Sequence, residues 1–547
     1  MEKAFTFFLL TLFLHMASSV MTQTNITTDQ LALLSLKSQI ISDPFHFLDK
    51  SWSPAIFVCH WVGVTCGSRH RRVMSLNLSN MALTGKIPRE FGNLSFLVSL
   101  DLGSNNFQGN LPQEMTSLRR LKFLDLSFNN FRGEVPSWFG LLHQLQFLNL
   151  GNNSFTGSIP SSFSNISKLE TLNMKFNSIE GQIPKGIGSL INLRVLNLKS
   201  NKLVGFIPMS LSHVSRLEIL EISYNSLQGN IPEGIGNLHN MKVLSLQVNQ
   251  LTGSIPFTVF NISRIENIAF TENSLSGSLP NGLCNGLPIL KGLYLSTNKL
   301  HGHMPARLSN CSQLQLLSLS ENDLTGEIPK EIRNLIELEK LSLGINSFSG
   351  SLDMEIFNIS GLTEIDLSSN NLSGSLPPNM CSTLPNIERL YMGNLTNLVG
   401  TIPHSISNCS KLSILELDSN KLAGLIPNFL GYLTHLQILN LGTNNLTSDS
   451  LLSFLTSLTN CRNLTYLDIS FNPLNDKLPA STGNLSTSLR TFFAMSCKIQ
   501  GRIPDEVGNL SSLLDLRLSG NNMVGSIPTS IGKLRDLQGL FLSNNKL

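Results

Sequence analysis

A 24-residue repeat runs through most of this chain and constrains its fold more than any other feature. Residues 99–112 read SLDLGSNNFQGNLP, residues 123–136 read FLDLSFNNFRGEVP, and residues 147–160 read FLNLGNNSFTGSIP. The shared pattern is L-x-x-L-x-L-x-x-N-x-L-x-G-x-I-P, and it recurs about 20 times from Val73 to Leu537. Segments that repeat at a fixed period stack on one another, so the chain is predicted to form a solenoid.

Each recurring letter has a physical reason. The alternation L-x-L places two leucines on the buried face of a short strand and the intervening residues on the other face. The asparagine after the strand, as at Asn105 and Asn129, both donates and accepts hydrogen bonds, so it can satisfy backbone groups of neighbouring coils. Glycine permits the tight return of the chain, and proline fixes φ. The letters that vary are therefore predicted to form the solvent-facing side of the sheet.

Charge and motif content argue against several functions. The 39 Lys and Arg against 36 Asp and Glu leave a formal net charge of +3, which is too small a basic excess for a nucleic-acid partner. The sequence has no Walker loop, no G-x-S-x-G elbow and no H-E-x-x-H motif. The segment His301–His303 reads HGH, has no nearby cysteine or carboxylate cluster, and is predicted to be a solvated turn. No enzyme activity, metal or cofactor is predicted.

One outward strand position carries a charged residue on each of five successive coils, and its glutamates suggest paired catalytic carboxylates. We call these residues the charged column. Its glutamates lie on alternate coils, about 10 Å apart, which is near the carboxylate separation of an inverting glycosidase. Basic residues fill the same column between them, so the column is predicted to be a neutralising ladder. In order, its members are Glu170, Arg194, Glu218, Lys242 and Glu266.

The first two dozen residues differ from the rest. A charged start leads into the apolar run AFTFFLLTLFLHM, and the small residues Ala17–Ser19 follow. The run is shorter than the roughly 20 residues that a membrane span needs. Residues 1–23 are therefore predicted to be a secretory signal peptide.

Two parts of the sequence resemble a known family. The repeat with its G-x-I-P tail is similar to the plant-specific class of leucine-rich repeats. Residues 29–52, DQLALLSLKSQIISDPFHFLDKSW, with CHWVGVTC at 59–66, resemble the N-terminal cap of plant leucine-rich-repeat receptor kinases. GNLS at the coil backs and NCSKL at 408–412 resemble the immune branch that includes the flagellin and elongation-factor sensors.

The resemblance implies the fold and its division into domains. It implies an α/β solenoid, a right-handed superhelix with a concave parallel β-sheet and about 20 plant-type repeats. Residues 24–70 would form the N-terminal cap, and residues 71–547 the solenoid, with the last repeat incomplete and no C-terminal cap. In the family an outer cap, a membrane helix and a cytoplasmic Ser/Thr kinase follow. The chain is interpreted as an ectodomain truncated before them.

The resemblance also implies a function in extracellular recognition. The concave face would bind a microbial or endogenous peptide, or a protein ligand, in plant defence and innate immunity. A co-receptor kinase of the somatic-embryogenesis receptor kinase type would join in the full-length parent. The parent would lie in the plasma membrane, and the truncated chain in the apoplast after passage through the secretory pathway. The alternative is a secreted leucine-rich-repeat binding protein, either an enzyme inhibitor or a decoy receptor.

The predicted ligand-binding residues face outward at the end of each strand, and ordinary surface variation is the alternative interpretation. Aromatic residues on every second coil, with lysines beside them, suit an extended peptide whose apolar side chains contact the rings and whose carboxylates meet the lysines. The residues are Phe128, Asn152, Lys175, Phe176, Lys199, Tyr224, Gln247 and Val248.

The eight cysteines suit an oxidising compartment. By the resemblance, Cys59 and Cys66 match the capping disulfide of the family. Cys284 with Cys311, and Cys381 with Cys409, would join the backs of adjacent coils. Cys497 occupies the asparagine position and is predicted to be an unpaired buried thiol, which leaves Cys461 without an obvious partner.

Two other features lie outside the predicted sheet: an irregular segment and a set of glycosylation sequons. Residues 447–464 lack the G-x-I-P tail and are predicted to form a helix on the convex side, with a ligand-gripping island as the alternative. N-x-S/T sequons are dense enough to indicate a glycosylated surface. The predicted glycosylation sites are Asn93, Asn165, Asn261, Asn310, Asn358, Asn371, Asn394, Asn408, Asn445, Asn463, Asn484 and Asn509.

Overall fold

The computed structural model describes residues 25–352 and 355–547, and the predicted signal peptide lies outside the described residues. The chain divides into two units, residues 1–241 and 242–547. Each unit is a stack of coils, and most coils contain a strand of a main parallel sheet, a strand of a second sheet that we call the side sheet, and a short 3-10 segment. The predicted α/β solenoid of leucine-rich-repeat type is confirmed.

The N-terminal cap is built around helix α1, Ile26–Ser38, which Asn25 caps through a reciprocal capping box with Thr28. Its buried face carries Ala32, Leu33 and Leu36. The remaining cap elements are helix α2 at Phe47–Ser51, the 3-10 segment Val58–His60, and the strands Ile40–Ser42 and Val64–Cys66.

A buried ion pair joins the cap to the first coil. The Arg72 guanidinium donates from Nη2 to Asp29 Oδ1 at 2.6 Å and from Nε to Oδ2 at 2.7 Å. The backbone N–H of Val73 donates to the same Asp29 carboxylate at 3.0 Å. Because a buried charge is tolerated when it is paired and hydrogen-bonded, this contact sets where helix α1 meets the main sheet.

The main sheet has parallel strands in register, with a buried middle residue between two half-buried ones in most strands. In the first unit its strands are Val73–Asn77, Ser99–Asp101, Phe123–Asp125, Phe147–Asn149, Thr171–Asn173, Val195–Asn197 and Ile219–Glu221. In the second unit they are Val243–Ser245, Asn267–Ala269, Gly292–Tyr294, Leu316–Ser318, Lys340–Ser342, Glu364–Asp366, Arg389–Tyr391, Ile414–Glu416, Ile438–Asn440, Tyr466–Asp468, Thr491–Phe493, Asp515–Arg517 and Gly539–Phe541.

The side sheet follows the asparagine turn in most coils. In the first unit its strands are Thr84–Gly85, Asn106–Gly109, Asn130–Glu134, Ser154–Thr156, Glu180–Gln182, Lys202–Gly205 and Ser226–Asn230. In the second unit they are Gln250–Ser254, Ser274–Gly277, Lys299–His303, Asp323–Glu327, Ser347–Ser351, Asn370–Ser375, Leu395–Gly400, Lys421–Leu425, Asn445–Thr447, Gln500–Gly501 and Asn522–Met523.

Most coil backs are 3-10 segments that begin after the recurring proline. In the first unit they are Arg89–Asn93, Gln113–Ser117, Ser137–Leu141, Ser161–Asn165, Lys185–Ser189, Met209–His213 and Glu233–Asn237. In the second unit they are Phe257–Asn261, Leu283–Gly286, Ala306–Asn310, Lys330–Asn334, Ile356–Asn358, His404–Asn408, Asn428–Tyr432, Leu458–Asn460, Ala480–Asn484, Asp505–Asn509 and Thr529–Lys533. Two backs carry short α-helices, α3 at Met380–Thr383 and α4 at Ser453–Ser457. Helix α4 confirms the helix predicted in residues 447–464.

The core is filled by side chains that stack from coil to coil. Phe107, Phe131 and Phe155 are buried and lie one above another, with ring centroids 6.2 and 6.3 Å apart. Stacked rings at this spacing add about 0.5–1.5 kcal/mol per pair beyond the area that they bury. One repeated core position therefore accounts for part of the phenylalanine content of the chain.

The asparagine of the repeat connects each coil to the one before it. Asn129 donates from Nδ2 to the carbonyls of Leu102 and Leu126, and its Oδ1 accepts the backbone N–H of Phe107 at 2.8 Å. The side chain thus satisfies backbone groups on two coils, as the pattern predicts. Since an unpaired buried polar group costs roughly 1–3 kcal/mol, this position tolerates few substitutes.

Cys497 shows what is lost when the asparagine is replaced. Its Sγ lies 3.2 Å from the carbonyl of Ile469, so the thiol keeps the donor role of the asparagine. A thiol is a poor acceptor, and the N–H of Leu474 bonds instead to the backbone carbonyls of Asn472 and Cys497. Between Thr447 and Gln500 the side sheet is reduced to an isolated bridge at Lys477.

Candidate functional site

The predicted ligand-binding residues at the strand ends lie in a turn, and their assignment to the strand is wrong. The strand Phe123–Asp125 ends before Phe128, whose φ is 52°. Phe176 and Tyr224 occupy the same position two and four coils further on, with φ of 52° and 55°. The repeat places a non-glycine residue in the left-handed region in coil after coil.

Hydrogen bonds between coils hold this turn. The N–H of Phe128 donates to the carbonyl of Gly151 at 3.0 Å, and the N–H of Asn129 donates to the carbonyl of Asn152 at 3.1 Å. The left-handed conformation costs about 1–2 kcal/mol for an L-residue, and these bonds offset that cost. The turn directs the next residues into the side sheet and leaves the side chain of Phe128 exposed.

Three large aromatic side chains are thus exposed on alternate coils of the first unit. Phe128 is 53% exposed, Phe176 is 45% exposed, and Tyr224 is 47% exposed. Strands of one sheet are about 4.8 Å apart, so rings on alternate coils are about 10 Å apart. We call these three residues the aromatic row.

The two predicted lysines contact this row. The Lys199 ammonium lies 5.1 Å from the centroid of the Tyr224 ring, and that of Lys175 lies 6.0 Å from the centroid of the Phe176 ring. Across the described residues, 25–352 and 355–547, neither lysine forms an ion pair with a carboxylate. Cation–π contacts at exposed sites contribute about 0.5–1 kcal/mol, which leaves both charges available to an anionic group.

Asn152 lies in the same turn position between Phe128 and Phe176. Its Nδ2 is shielded from solvent and has no hydrogen-bond partner in the described part of the chain. An unsatisfied buried donor of this kind is uncommon in folded proteins.

Gln247 and Val248 lie in the second unit. Gln247 donates from Nε2 to Ser245 Oγ at 3.3 Å, and Val248 has the left-handed φ of 53° typical of this turn. The structure therefore places six of the eight predicted residues in the first unit, and Gln247 and Val248 in the second.

The charged column contains ion pairs. Arg194 Nη2 lies 2.5 Å from Glu218 Oε1, and Lys291 Nζ lies 2.8 Å from Glu266 Oε2. These contacts between opposite charges match the neutralising ladder that the sequence predicts, and they leave no free carboxylate pair at Glu218 and Glu266 for glycosidase chemistry. His301–His303 is part of the strand Lys299–His303 rather than a turn, because the segment pairs with Asp323–Glu327.

The prediction from the sequence missed an acidic group on the main sheet of the second unit. Asp366, Tyr391 and Glu416 are register partners on consecutive strands, and Asp468 follows two strands later. Asp418 lies two residues after Glu416. Tabulating one outward strand position over successive repeats would have revealed it.

Burial raises the pKa values of several side chains in this acidic group. It raises the pKa of the Asp366, Glu416 and Asp468 carboxyls, and the charge of Asp418 adds to the effect at Glu416. Burial, together with Asp468 and Glu416, raises the pKa of Tyr466 to about 12. The surface therefore favours a cationic group, which would relieve the repulsion among these carboxylates.

An arginine stacks on two aromatic rings further along the second unit. The Arg517 guanidinium lies 4.4 Å from the Phe493 ring centroid and 4.9 Å from that of Phe541, and it pairs with Asp515 at 2.7 Å. These rings are consequently less available than those of the aromatic row.

The structure contains three disulfides, Cys59–Cys66, Cys284–Cys311 and Cys381–Cys409. Cys461 and Cys497 are free and buried. Burial raises the pKa of the Cys461 thiol to about 11 and that of Cys497 to about 12.

The asparagines of the predicted glycosylation sites are all exposed. Most share one repeat position, the last residue of a 3-10 segment: Asn93, Asn165, Asn261, Asn310, Asn358, Asn408, Asn484 and Asn509. Asn371 and Asn445 lie on the side sheet, Asn463 precedes a main strand, and Asn394 occupies the left-handed turn position in the second unit.

Two features are absent from the described residues. None of their helices is long and apolar enough to cross a membrane. In the same residues no three His, Cys, Asp or Glu side chains cluster in a way that could hold a metal ion.

Two protein families match the chain. The family described as leucine rich repeat N-terminal domain matches residues 26–67. The leucine rich repeat family matches residues 72–94, 120–142, 144–166, 168–190, 192–214, 216–238, 313–335, 361–383, 463–485 and 512–534.

Individual proteins with leucine-rich repeats are also similar to this chain, in sequence and in structure. The LRR receptor-like serine/threonine-protein kinase EFR of Arabidopsis thaliana is 49% identical over 70 residues, which span 13% of this chain and 7% of that protein. The Arabidopsis receptor kinase HAESA, solved with the peptide hormone IDA and the co-receptor SERK1, is 31% identical with a TM-score of 0.74, over 95% of this chain and 94% of that one. The ectodomain of the Arabidopsis thaliana receptor kinase GASSHO1/SCHENGEN3, solved with CASPARIAN STRIP INTEGRITY FACTOR 2, is 31% identical with a TM-score of 0.64, over 94% and 73%.

These relatives are receptor kinases, and the solved structures of GASSHO1/SCHENGEN3 and HAESA are of their LRR ectodomains. The similarity to HAESA extends over nearly the whole of both chains, and the cap and the repeats each match their own family. The chain belongs to the family of plant leucine-rich-repeat receptor ectodomains.

Proposed function

We propose that this chain is the extracellular ligand-binding ectodomain of a plant receptor-like kinase and senses a microbial or endogenous peptide in immune signalling. The observation that carries the proposal is the aromatic row, three exposed rings on alternate coils with Lys175 and Lys199 beside them. Exposed aromatic side chains in a regular row supply the anchors that interfaces use most, because they bury a large area at low conformational cost.

The spacing of the row suggests how the peptide binds. An extended chain advances about 3.1–3.4 Å per residue, so every third residue of a peptide running from coil to coil meets the next ring, about 10 Å away. The peptide would place apolar side chains at these positions and acidic side chains near the two lysines. Asn152 would bond a backbone carbonyl between the first two rings.

The wider assignments rest on the relatives. HAESA is solved with a peptide hormone and a co-receptor, which supports recruitment of a somatic-embryogenesis-type co-receptor kinase by the full-length parent of this chain. Residues 1–23 would direct the chain to the secretory pathway, residues 24–70 would cap the solenoid, and residues 71–547 would form it. The parent would lie in the plasma membrane, and this chain alone in the apoplast.

The alternative is a secreted binding protein, such as an inhibitor or decoy. A receptor ectodomain is favoured because the HAESA ectodomain is matched over 94% of its length. Eight of the twelve predicted sugars would occupy the coil backs at the shared 3-10 position, and none of the twelve would be attached to a residue of the aromatic row.

Peptides selected from a random display library on the wild-type chain test the aromatic row. Phe176→Ala and Tyr224→Ala should each weaken binding of the selected peptides by about 2 kcal/mol or more, roughly thirtyfold, because each removes a central aromatic anchor. Phe206→Ala is the matched control, since Phe206 is 66% exposed but follows a side-sheet strand. Unchanged affinity in the first two variants, or an equal loss in all three, would remove the assignment.

A further inference from the structure

A second cluster of cationic and aromatic side chains lies where the cap meets the first coils, and it shares no residue with the aromatic row. Arg72, Phe96 and Arg120 occupy the same repeat position on consecutive coils. The Arg72 guanidinium carbon lies 4.5 Å from the Phe96 ring centroid, and that of Arg120 lies 3.9 Å from it. The His70 ring approaches the edge of Phe96 at 5.6 Å between centroids.

These side chains line a cleft of about 220 Å³. The polar side chains that line it include Arg69, His70, Arg72 and Arg120, and the apolar ones are Met74, Phe96 and Val98. A cleft lined by both guanidinium groups and apolar side chains matches an anionic group that is carried on an apolar one.

The charges in this cleft are unequally compensated. Arg72 is only 5% exposed and is neutralised by Asp29 through two charge-assisted bonds. Arg69 and Arg120 are exposed, and in the described residues neither forms an ion pair with a carboxylate. The net field of the cleft is therefore positive, and guanidinium groups bind carboxylate, sulfate and phosphate through paired N–H donors.

The walls of the cleft are held in place before any ligand arrives. Arg69 and His70 lie on the loop between strands Val64–Cys66 and Val73–Asn77, and the Cys59–Cys66 disulfide anchors its start. The loop is closed by the N–H of Gly67, which donates to the carbonyl of Arg72 at 2.9 Å. Stacking on Phe96 orients the Arg120 guanidinium, so less conformational freedom is lost on binding.

We propose that this cleft is a binding site for an organic anion, a carboxylate, sulfate or phosphate group carried on an apolar group. Arg120 and Arg69 would bond the anion, and Met74 and Val98 would contact the apolar carrier. The site is separate from the aromatic row and does not depend on the function proposed for it.

Calorimetric titration of the full chain with phenyl phosphate tests the site. Wild type should bind one equivalent saturably, and Arg120→Gln should weaken binding about tenfold or more, the usual loss for one charge-assisted bond. Arg119→Gln is the matched control, because Arg119 is the adjacent exposed arginine, does not line the cleft, and donates to the carbonyl of Leu141 instead. Binding by Arg119→Gln should stay within about twofold of wild type.

Three further arms separate the sources of binding. Benzoate should compete with phenyl phosphate because it carries an anion on an apolar ring, and benzyl alcohol should not because it has no charge. Inorganic phosphate should bind at least fivefold more weakly than phenyl phosphate, because it makes no contact with the apolar side chains of the cleft. The absence of saturable binding by wild type, or equal losses in Arg119→Gln and Arg120→Gln, would overturn the site. Equal affinity for inorganic phosphate would overturn the apolar carrier. Phe176→Ala should bind phenyl phosphate like wild type, whatever its effect on peptides.

Discussion

At the scale of the residue, one polar side chain per coil decides how the coils connect. Asn129 and its equivalents donate to carbonyls and accept an N–H of the preceding coil. Cys497 keeps a donor contact and loses the acceptor, and the side sheet is interrupted next to it. The difference follows from hydrogen-bonding capacity, because an amide has both functions and a thiol is weak in each.

The free thiols are predicted to be inert in the folded protein. Burial raises the pKa of Cys461 to about 11 and that of Cys497 to about 12, so almost no thiolate is present at neutral pH, and the thiolate is the reactive form. Iodoacetamide should therefore modify neither residue in the native chain and both after unfolding in guanidinium chloride without reductant. Peptide mass spectrometry would report the sites, and modification of either residue in the native chain would contradict the prediction.

At the scale of the element, the 3-10 segments pack so closely that some positions admit only glycine. A Cβ built on Gly188 would lie 2.3 Å from the carbonyl oxygen of Ser210 in the next segment. Gly140 and Gly236 occupy the same position in other coils, and Gly140 meets the carbonyl oxygen of Ser162 at 2.4 Å. Close backbone approach, rather than unusual φ, therefore explains this recurring glycine.

Gly188→Ala should lower the free energy of unfolding by about 1–3 kcal/mol, because the added methyl group overpacks a contact between two backbones. Gly532→Ala is the matched control at the same repeat position, where no described atom lies within 4 Å of the added Cβ. That variant should be neutral or more stable by about 0.4–1 kcal/mol, through its effect on the unfolded chain. Urea unfolding measures both, and equal midpoints would contradict the steric explanation.

At the scale of the whole molecule, a small net charge hides local charges of opposite sign. The first unit has the cationic cleft around Phe96 and the two lysines of the aromatic row, and the second has Asp366, Glu416, Asp418 and Asp468. The total of +3 argues against nucleic-acid binding but describes neither surface. Salt should weaken recognition at each surface, because exposed charges are screened within about 10 Å at moderate ionic strength.

The carboxyls with raised pKa values make the second unit sensitive to pH. The folded protein holds protons on Asp366, Glu416 and Asp468 more tightly than the unfolded chain does, so their contribution to stability falls as pH rises through the folded-state values. Glu416→Gln should therefore raise the melting temperature at neutral pH, on the order of 2 °C for each kcal/mol gained.

The advantage of Glu416→Gln should shrink as pH falls toward about 4, where the wild-type carboxyl is itself protonated. Differential scanning calorimetry over this range measures the effect, with Glu339→Gln as a control at an exposed glutamate. A melting temperature at neutral pH that is unchanged or lower in Glu416→Gln would contradict the prediction.

The sequence by itself determined the architecture, because a fixed period turns tertiary neighbours into residues a constant number of positions apart. The stacking of Phe107 on Phe131 and the hydrogen bonds of Asn129 follow from that offset and from the identity of the letters, and the helix at Ser453–Ser457 lies where the G-x-I-P tail of the repeat is missing. Only the tertiary structure decided where the strand stops at Phe128, which ring each lysine contacts, and that Arg72 and Arg120 enclose Phe96. These features depend on φ, on side-chain rotamers and on desolvation, and atoms of adjacent coils set all three together.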